Sequence, residues 1–97
     1  MSILMEVLQE ELDRLDRQRA AYELHLQDLP RGYISKKNIR GKESYYLQHR
    51  DGSKIISKWI PADNLREVEL RVNQRKMVEA SLRRVKEDQK KLRKVLG

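Results

Sequence analysis

The chain has no cysteine and no phenylalanine, one tryptophan, two prolines and four glycines in 97 residues. Without cysteine there is no disulfide scaffold and no thiolate metal site, and nothing points to an oxidising compartment. No apolar run reaches spanning length and no hydrophobic leader core follows Met1. The expectation is a soluble, cytoplasmic protein with no membrane partner.

Catalytic patterns are missing as well. The only histidines, His25 and His49, lie outside any HExxH or carboxylate spacing. There is no glycine-rich phosphate loop and no serine nucleophile elbow. The acids sit on helical stretches among basic neighbours, so no carboxylate pair stands out for acid–base work. The expectation is therefore no enzyme, no metal and no cofactor.

What the chain does have is charge, at 38% of residues against 38% apolar. That is the profile of long helices rather than of a compact globule, and such a shape gains from a partner or a second copy. Two stretches carry helical periodicity. From Ser2, a candidate N-cap, to Leu29, apolar positions recur at Met1, Met5, Leu8, Leu12, Leu15, Tyr22, Leu26 and Leu29, with Arg19 interrupting. Leu29-Pro30 and Gly32 end the run.

From about Asp63 to Leu96 a second seam comprises Leu65, Val68, Val72, Arg75, Val78, Leu82, Val85, Gln89, Leu92 and Leu96. Asn64 and Glu67 have capping-box spacing at its start. Head-to-tail pairing of the seams, Leu29 with Leu65, Leu26 with Val68, Tyr22 with Val72, Leu15 with Val78, Leu12 with Leu82 and Leu8 with Val85, gives sums of 93 or 94 throughout. It also puts Arg19 and Arg75 in one layer.

Between the helices, residues 32–61 read as a sheet. Asp51-Gly52 between alternating runs predicts a type I′ hairpin with Gln48 opposite Ile55, Tyr46 opposite Ser57 and Ser44 opposite Trp59. A turn at Arg40-Gly41 folds Tyr33–Ile39 onto the same middle strand, in a register left open by one residue. One hairpin face holds Leu47, Ile56 and Ile60 and is expected to sit on the helix ends. The other holds Tyr46, Gln48, Arg50, Ser57 and Trp59.

The expected fold is thus α+β, a single domain: a long antiparallel two-helix coiled-coil hairpin, with a three-stranded antiparallel β-meander inserted at its tip. Charge is uneven along it. Residues 1–30 have seven acids and three bases, residues 31–61 two acids and eight bases, and residues 62–97 six acids and eleven bases. Nothing in the chain balances the middle segment, which implies an acidic partner.

The middle of the chain, LPRGYISKKNIRGKESYYLQHRDGSKIISKWIPADNL, resembles the core of a widespread group of small uncharacterised bacterial proteins. Their pattern is a leucine-proline-glycine opening, a GK-YYYLQ-R-G-K--SKYI sheet and a long charged helix. Leu29, Pro30, Gly32, Ile34, Gly41, Lys42, Tyr45, Tyr46, Leu47, Gln48, Arg50, Gly52, Lys54, Ser57, Lys58 and Ile60 match, and Trp59 stands where tyrosine is usual. The resemblance implies no particular activity.

A looser likeness is to the arm-type DNA-binding domain of tyrosine integrases, a three-stranded sheet followed by a helix that lays its sheet in the major groove. It rests on Gly32–Ile34, Tyr45–Tyr46, and the Gly52 turn followed by Lys54 and Lys58. The helix before the sheet departs from that pattern.

Two functional readings result. In the first, the chain is a non-enzymatic nucleic-acid-binding accessory module. Lys36, Lys37, Arg40, Lys42, Lys54 and Lys58 neutralise phosphates, Tyr46, Gln48, Arg50, Ser57 and Trp59 make the closer contacts, and the basic tail Arg83–Lys94 assists. In the second, it is a protein-interaction adaptor or small inhibitor. Off-seam Ile3, Leu4, Val7, Leu70, Met77 and Val95 would then pair two copies as a homodimeric four-helix bundle.

Overall fold

The computed structural model describes residues 2–97, so Met1 of the first seam lies outside the described residues. Helix α1 (Ile3–Gln27) is followed by strands β1 (Tyr33–Ile39), β2 (Lys42–Asp51) and β3 (Lys54–Ile60). A 3-10 turn (Ala62–Asn64) then leads into helix α2 (Leu65–Leu96). The fold is α+β: an antiparallel pair of helices with a three-stranded antiparallel meander, in the order β1-β2-β3, inserted between them in the chain. It divides into two compact units. A helical unit comprises the chain up to Asp28 together with Met77–Gly97, and a sheet unit comprises Leu29–Lys76.

The helical unit buries Leu12 and Leu15 of α1 and Val78, Leu82 and Val85 of α2, all members of the two seams. Each such side chain contributes about 1.5–3 kcal/mol relative to exposure. Gln89, 1% exposed, is the one buried polar residue among them. Both polar atoms of its amide are engaged: Nε2 donates to Asp16 Oδ1 at 2.6 Å, and Oε1 accepts from Arg19 Nη1 at 3.2 Å. Arg93 reaches the same Asp16 oxygen at 3.4 Å. These bonds avoid the desolvation cost of an unpaired buried amide. At the N-cap, Ser2 has the expected extended backbone, but its hydroxyl makes no cap bond.

The bonds of Gln89 correct the helix register. Asp16–Gln89, Arg19–Gln89 and Asp16–Arg93 sum to 105, 108 and 109, not 93 or 94. Pairing Leu15 with Gln89, Leu12 with Leu92 and Leu8 with Leu96 meets all three, a shift of about three helical turns. A cleft lined by Met5, Glu6, Gln9, Glu10 and Leu96 agrees with it. Leu8 is therefore not opposite Val85. Each of the two seam arginines has a partner within its own unit: Arg19 Nε donates to Glu23 at 2.9 Å, and Arg75 Nη1 donates to the Leu29 carbonyl at 2.7 Å.

The physical reason lies in the sheet unit, where the first turns of α2 have another task. Ile60 is buried and Ile34 and Leu47 are half-buried. Leu47 and Ile60 line a cleft with Val68, and Ile34 lines another with the buried Val72. The start of α2 thus covers one end of a sheet face, at Ile34, Leu47 and Ile60, with seam residues that a pure helical hairpin would have given to α1, while Ile56 on the same face, expected to be covered too, remains 41% exposed.

Both hairpins have two-residue loops, but of different kinds. Ile39 pairs with Lys42 around Arg40 (φ 53) and Gly41 (φ 80), two left-handed residues as a type I′ turn requires. In the second hairpin Asp51 pairs with Lys54, so the loop is Gly52-Ser53 and not Asp51-Gly52. Only Gly52 has positive φ (64), the pattern of a type II′ turn. The register is therefore Gln48 with Ser57 and Tyr46 with Trp59, two residues from the expected one. An even shift leaves every side chain on its expected face.

Gly32 is required by close approach. Its φ is +108, and a Cβ there would stand 2.0 Å from the Gln48 carbonyl oxygen.

Candidate functional site

Strand alternation and the two registers determine what the uncovered face of the sheet presents. One row across the strands is Tyr33–Gln48–Ser57, and the next is Ser35–Tyr46–Trp59. Lys37 and Ser44 pair beyond them, then Ile39 and Lys42, while Arg50 and Ile55 pair at the other end. Tyr33 and Trp59 are 53% and 59% exposed, and Tyr46 is half-buried. Gln48 Nε2 donates to Ser57 Oγ at 3.3 Å. The Lys37 ammonium lies 4.9 Å from the centroid of the Tyr46 ring, a cation–π contact that occupies one side of that ring.

No acid lies on this face. Both acids of the strands, Glu43 and Asp51, alternate with the residues of the covered face. The open face therefore holds Lys37, Lys42 and Arg50 without an opposing carboxylate. The larger balance points the same way. The sheet unit contains twelve bases and five acids, a net +7, whereas the helical unit contains ten of each. The basic tail of α2, counted among the expected ligands, is thus offset within its own unit, with Arg93 on Asp16 as the direct contact.

Of the expected site residues, Lys37, Lys42, Tyr46, Gln48, Arg50, Ser57 and Trp59 fall on the open face, and Arg40 is in the first turn. Lys36, Lys54 and Lys58 alternate onto the other side. Lys36 is engaged there: Nζ is 2.9 Å from Glu43 Oε1, and that hydrogen bond, then the charges of Glu43 and Tyr45, raise its pKa above the ordinary lysine value. Lys58 lines the cleft that holds Val68 and Arg71.

Tyr33, Ser35 and Ile55 belong to the open face and were not among the expected site residues. The signal for the first two was the two-residue Arg40-Gly41 loop, which sets the β1 register and so the face on which Tyr33 emerges.

Among the described residues no cluster of His, Asp or Glu is arranged to hold a metal ion, and no helix is long and apolar enough to cross a membrane. Fold and surface define a small α+β module, whose sheet is covered by a helix on one side and shows rings and cations to solvent on the other. By sequence the chain belongs to the family described as a domain of unknown function (DUF6788), which matches residues 5–70: nearly all of α1, the whole sheet and the opening of α2. No curated protein sequence and no solved structure matches the chain.

Proposed function

We propose that the protein is a non-enzymatic nucleic-acid-binding module that uses the open face of its sheet. The observation that carries this reading is the acid-free face itself, in the unit that holds the entire net charge of +7. Lys37, Lys42 and Arg50, with Arg40 at the edge, neutralise phosphates, while Gln48 and Ser57 supply donors and acceptors at the centre. Lys36, Lys54 and Lys58 add to the field of the unit without touching the ligand.

The test is a salt-titrated binding assay with labelled oligonucleotides. Three or four neutralised phosphates give a fall of log affinity with log salt at a slope of about −2 to −4. Reversing Lys37 and Arg50 to Glu weakens binding roughly tenfold or more per cation, whereas Lys90→Glu with Lys91→Glu leaves it nearly unchanged. Binding that is absent at low salt, or indifferent to salt, removes this reading.

A second reading has its own support in the helical unit, where Ile3, Leu4, Val7, Met77 and Val95 are all exposed. They suit a protein partner or a second copy of the chain, and light scattering at high concentration tests the latter. A monomer there argues against self-association.

A further inference from the structure

We infer that the nucleic acid taken by the open face is single-stranded, with unpaired bases stacked on Trp59 and Tyr33. This rests on the reading of the face as a nucleic-acid surface and specifies which form of nucleic acid it accepts.

Trp59 and Tyr33 are the most exposed rings of the sheet, at 59% and 53%, although each also borders a cleft shared with α2, Trp59 with Val68 and Arg71 and Tyr33 with Glu69 and Lys76. Neither phosphate neutralisation nor hydrogen-bond readout uses an aromatic face, and an undistorted duplex offers such a ring little beyond thymine methyl groups. The bases of a duplex are already stacked on one another, and only their edges are accessible in the grooves. Unpaired bases offer both faces, and stacking on an exposed ring is the main sequence-tolerant contact of single-strand binders.

The placement of the rings agrees. They lie on the two outer strands, in adjacent rows of the open face. With neighbouring strands about 4.8 Å apart, the backbones carrying them are roughly 10 Å apart across the sheet. A single strand crossing the sheet obliquely meets one ring and then the other, with separate bases.

Between the two rings lie the Gln48–Ser57 pair, able to reach base edges, and Tyr46, whose ring is partly taken by Lys37. Lys37 and Arg50 are placed to follow the backbone on either side of the row. The face thus combines a stacking platform with a cationic track.

Trp59 is the only tryptophan, so intrinsic tryptophan fluorescence reports on this position alone. The experiment titrates the full chain at low salt with oligothymidylate and oligouridylate of about twelve nucleotides, within the range of known single-strand site sizes, and with a duplex of equal length. The expected result is quenching of Trp59 by the single strands, and affinity for them at least tenfold above that for the duplex. Trp59→Ala and Tyr33→Ala each weaken single-strand binding by roughly 5- to 150-fold, and Trp59→Phe restores most of the loss. Both residues are exposed, so an unchanged circular dichroism spectrum separates a lost contact from a lost fold. Equal or tighter duplex binding overturns the inference and leaves the nucleic-acid reading standing, as does full affinity in Trp59→Ala. No binding of either form at low salt overturns both.

Discussion

The two units of this chain use the same kinds of residue to opposite ends. The helical unit has ten acids and ten bases, encloses five aliphatic side chains and places a hydrogen-bonded Gln89 among them. The sheet unit has twelve bases and five acids, buries only Leu29, Ile60 and Val72, and leaves Tyr33, Ile39, Ile55 and Trp59 exposed. A surface that is both apolar and of one sign is costly for an isolated protein. The helical unit also exposes apolar side chains, Ile3, Leu4 and Val7 among them, but with balanced charge, whereas the sheet unit combines exposed rings with a net positive charge. On the reading proposed above, that contrast assigns ligand binding to the sheet and leaves the helices to hold the fold.

The contrast breaks most completely at Gly32. An alanine there would need its Cβ 2.0 Å from a backbone oxygen and a φ of +108, so β1 must shift off β2. The expected loss is on the order of 3 kcal/mol. By hydrogen exchange the amides of β1 and β2 lose protection while those of α1 retain theirs, and oligonucleotide binding is lost as well. Equal loss of protection in α1 would mean that the two units unfold as one.

Leu15→Ala is the reciprocal test. Leu15 is 3% exposed in the helical core, and truncating such a leucine costs about 2–5 kcal/mol. Protection should now fall in α1 and the second half of α2, with oligonucleotide affinity unchanged at temperatures where the sheet remains folded. Lost affinity under those conditions would place part of the binding surface on the helices.

These elements were not equally legible in the sequence. The seam residues were, because a period of 3.6 marks a helix face locally, and Leu12, Leu15, Val72, Val78, Leu82, Val85 and Gln89 are all buried. Their register was not, because a seam displaced by about three turns presents the same face again. Whether Val68 and Val72 belong to a helix pair or to a sheet is a long-range question that a period cannot answer. The hairpin at Gly52 shows the converse. Its loop was read one residue early, yet the face of Tyr46, Gln48, Ser57 and Trp59 was right, because the resulting offset between the strands is even. The cations were read as a pool. Alternation in the hairpin alone separates Arg50 from Lys54 and Lys58, but deciding which of Lys36 and Lys37 joins the open face needs the β1 register.

Those two neighbours provide the smallest and sharpest test. Lys36 is fully paired with Glu43, and its raised pKa places it on the ordinary side of linkage for a lysine with a partner. The stabilisation is fully present below about pH 10.5, the unfolded value, and is lost only as pH rises through the higher folded one. Near neutral pH the pair is therefore intact, but the group is solvent-exposed, and an exposed pair of this kind adds little to stability. Lys36→Gln should leave both the melting temperature and oligonucleotide affinity unchanged within error. Lys37→Gln, one residue along, removes an unopposed cation from the open face and its contact with the Tyr46 ring, and should weaken binding several-fold at low salt. If the two substitutions weaken binding equally, the ligand senses the net charge of the unit and not one face of its sheet, and the assignment of function to that face is wrong.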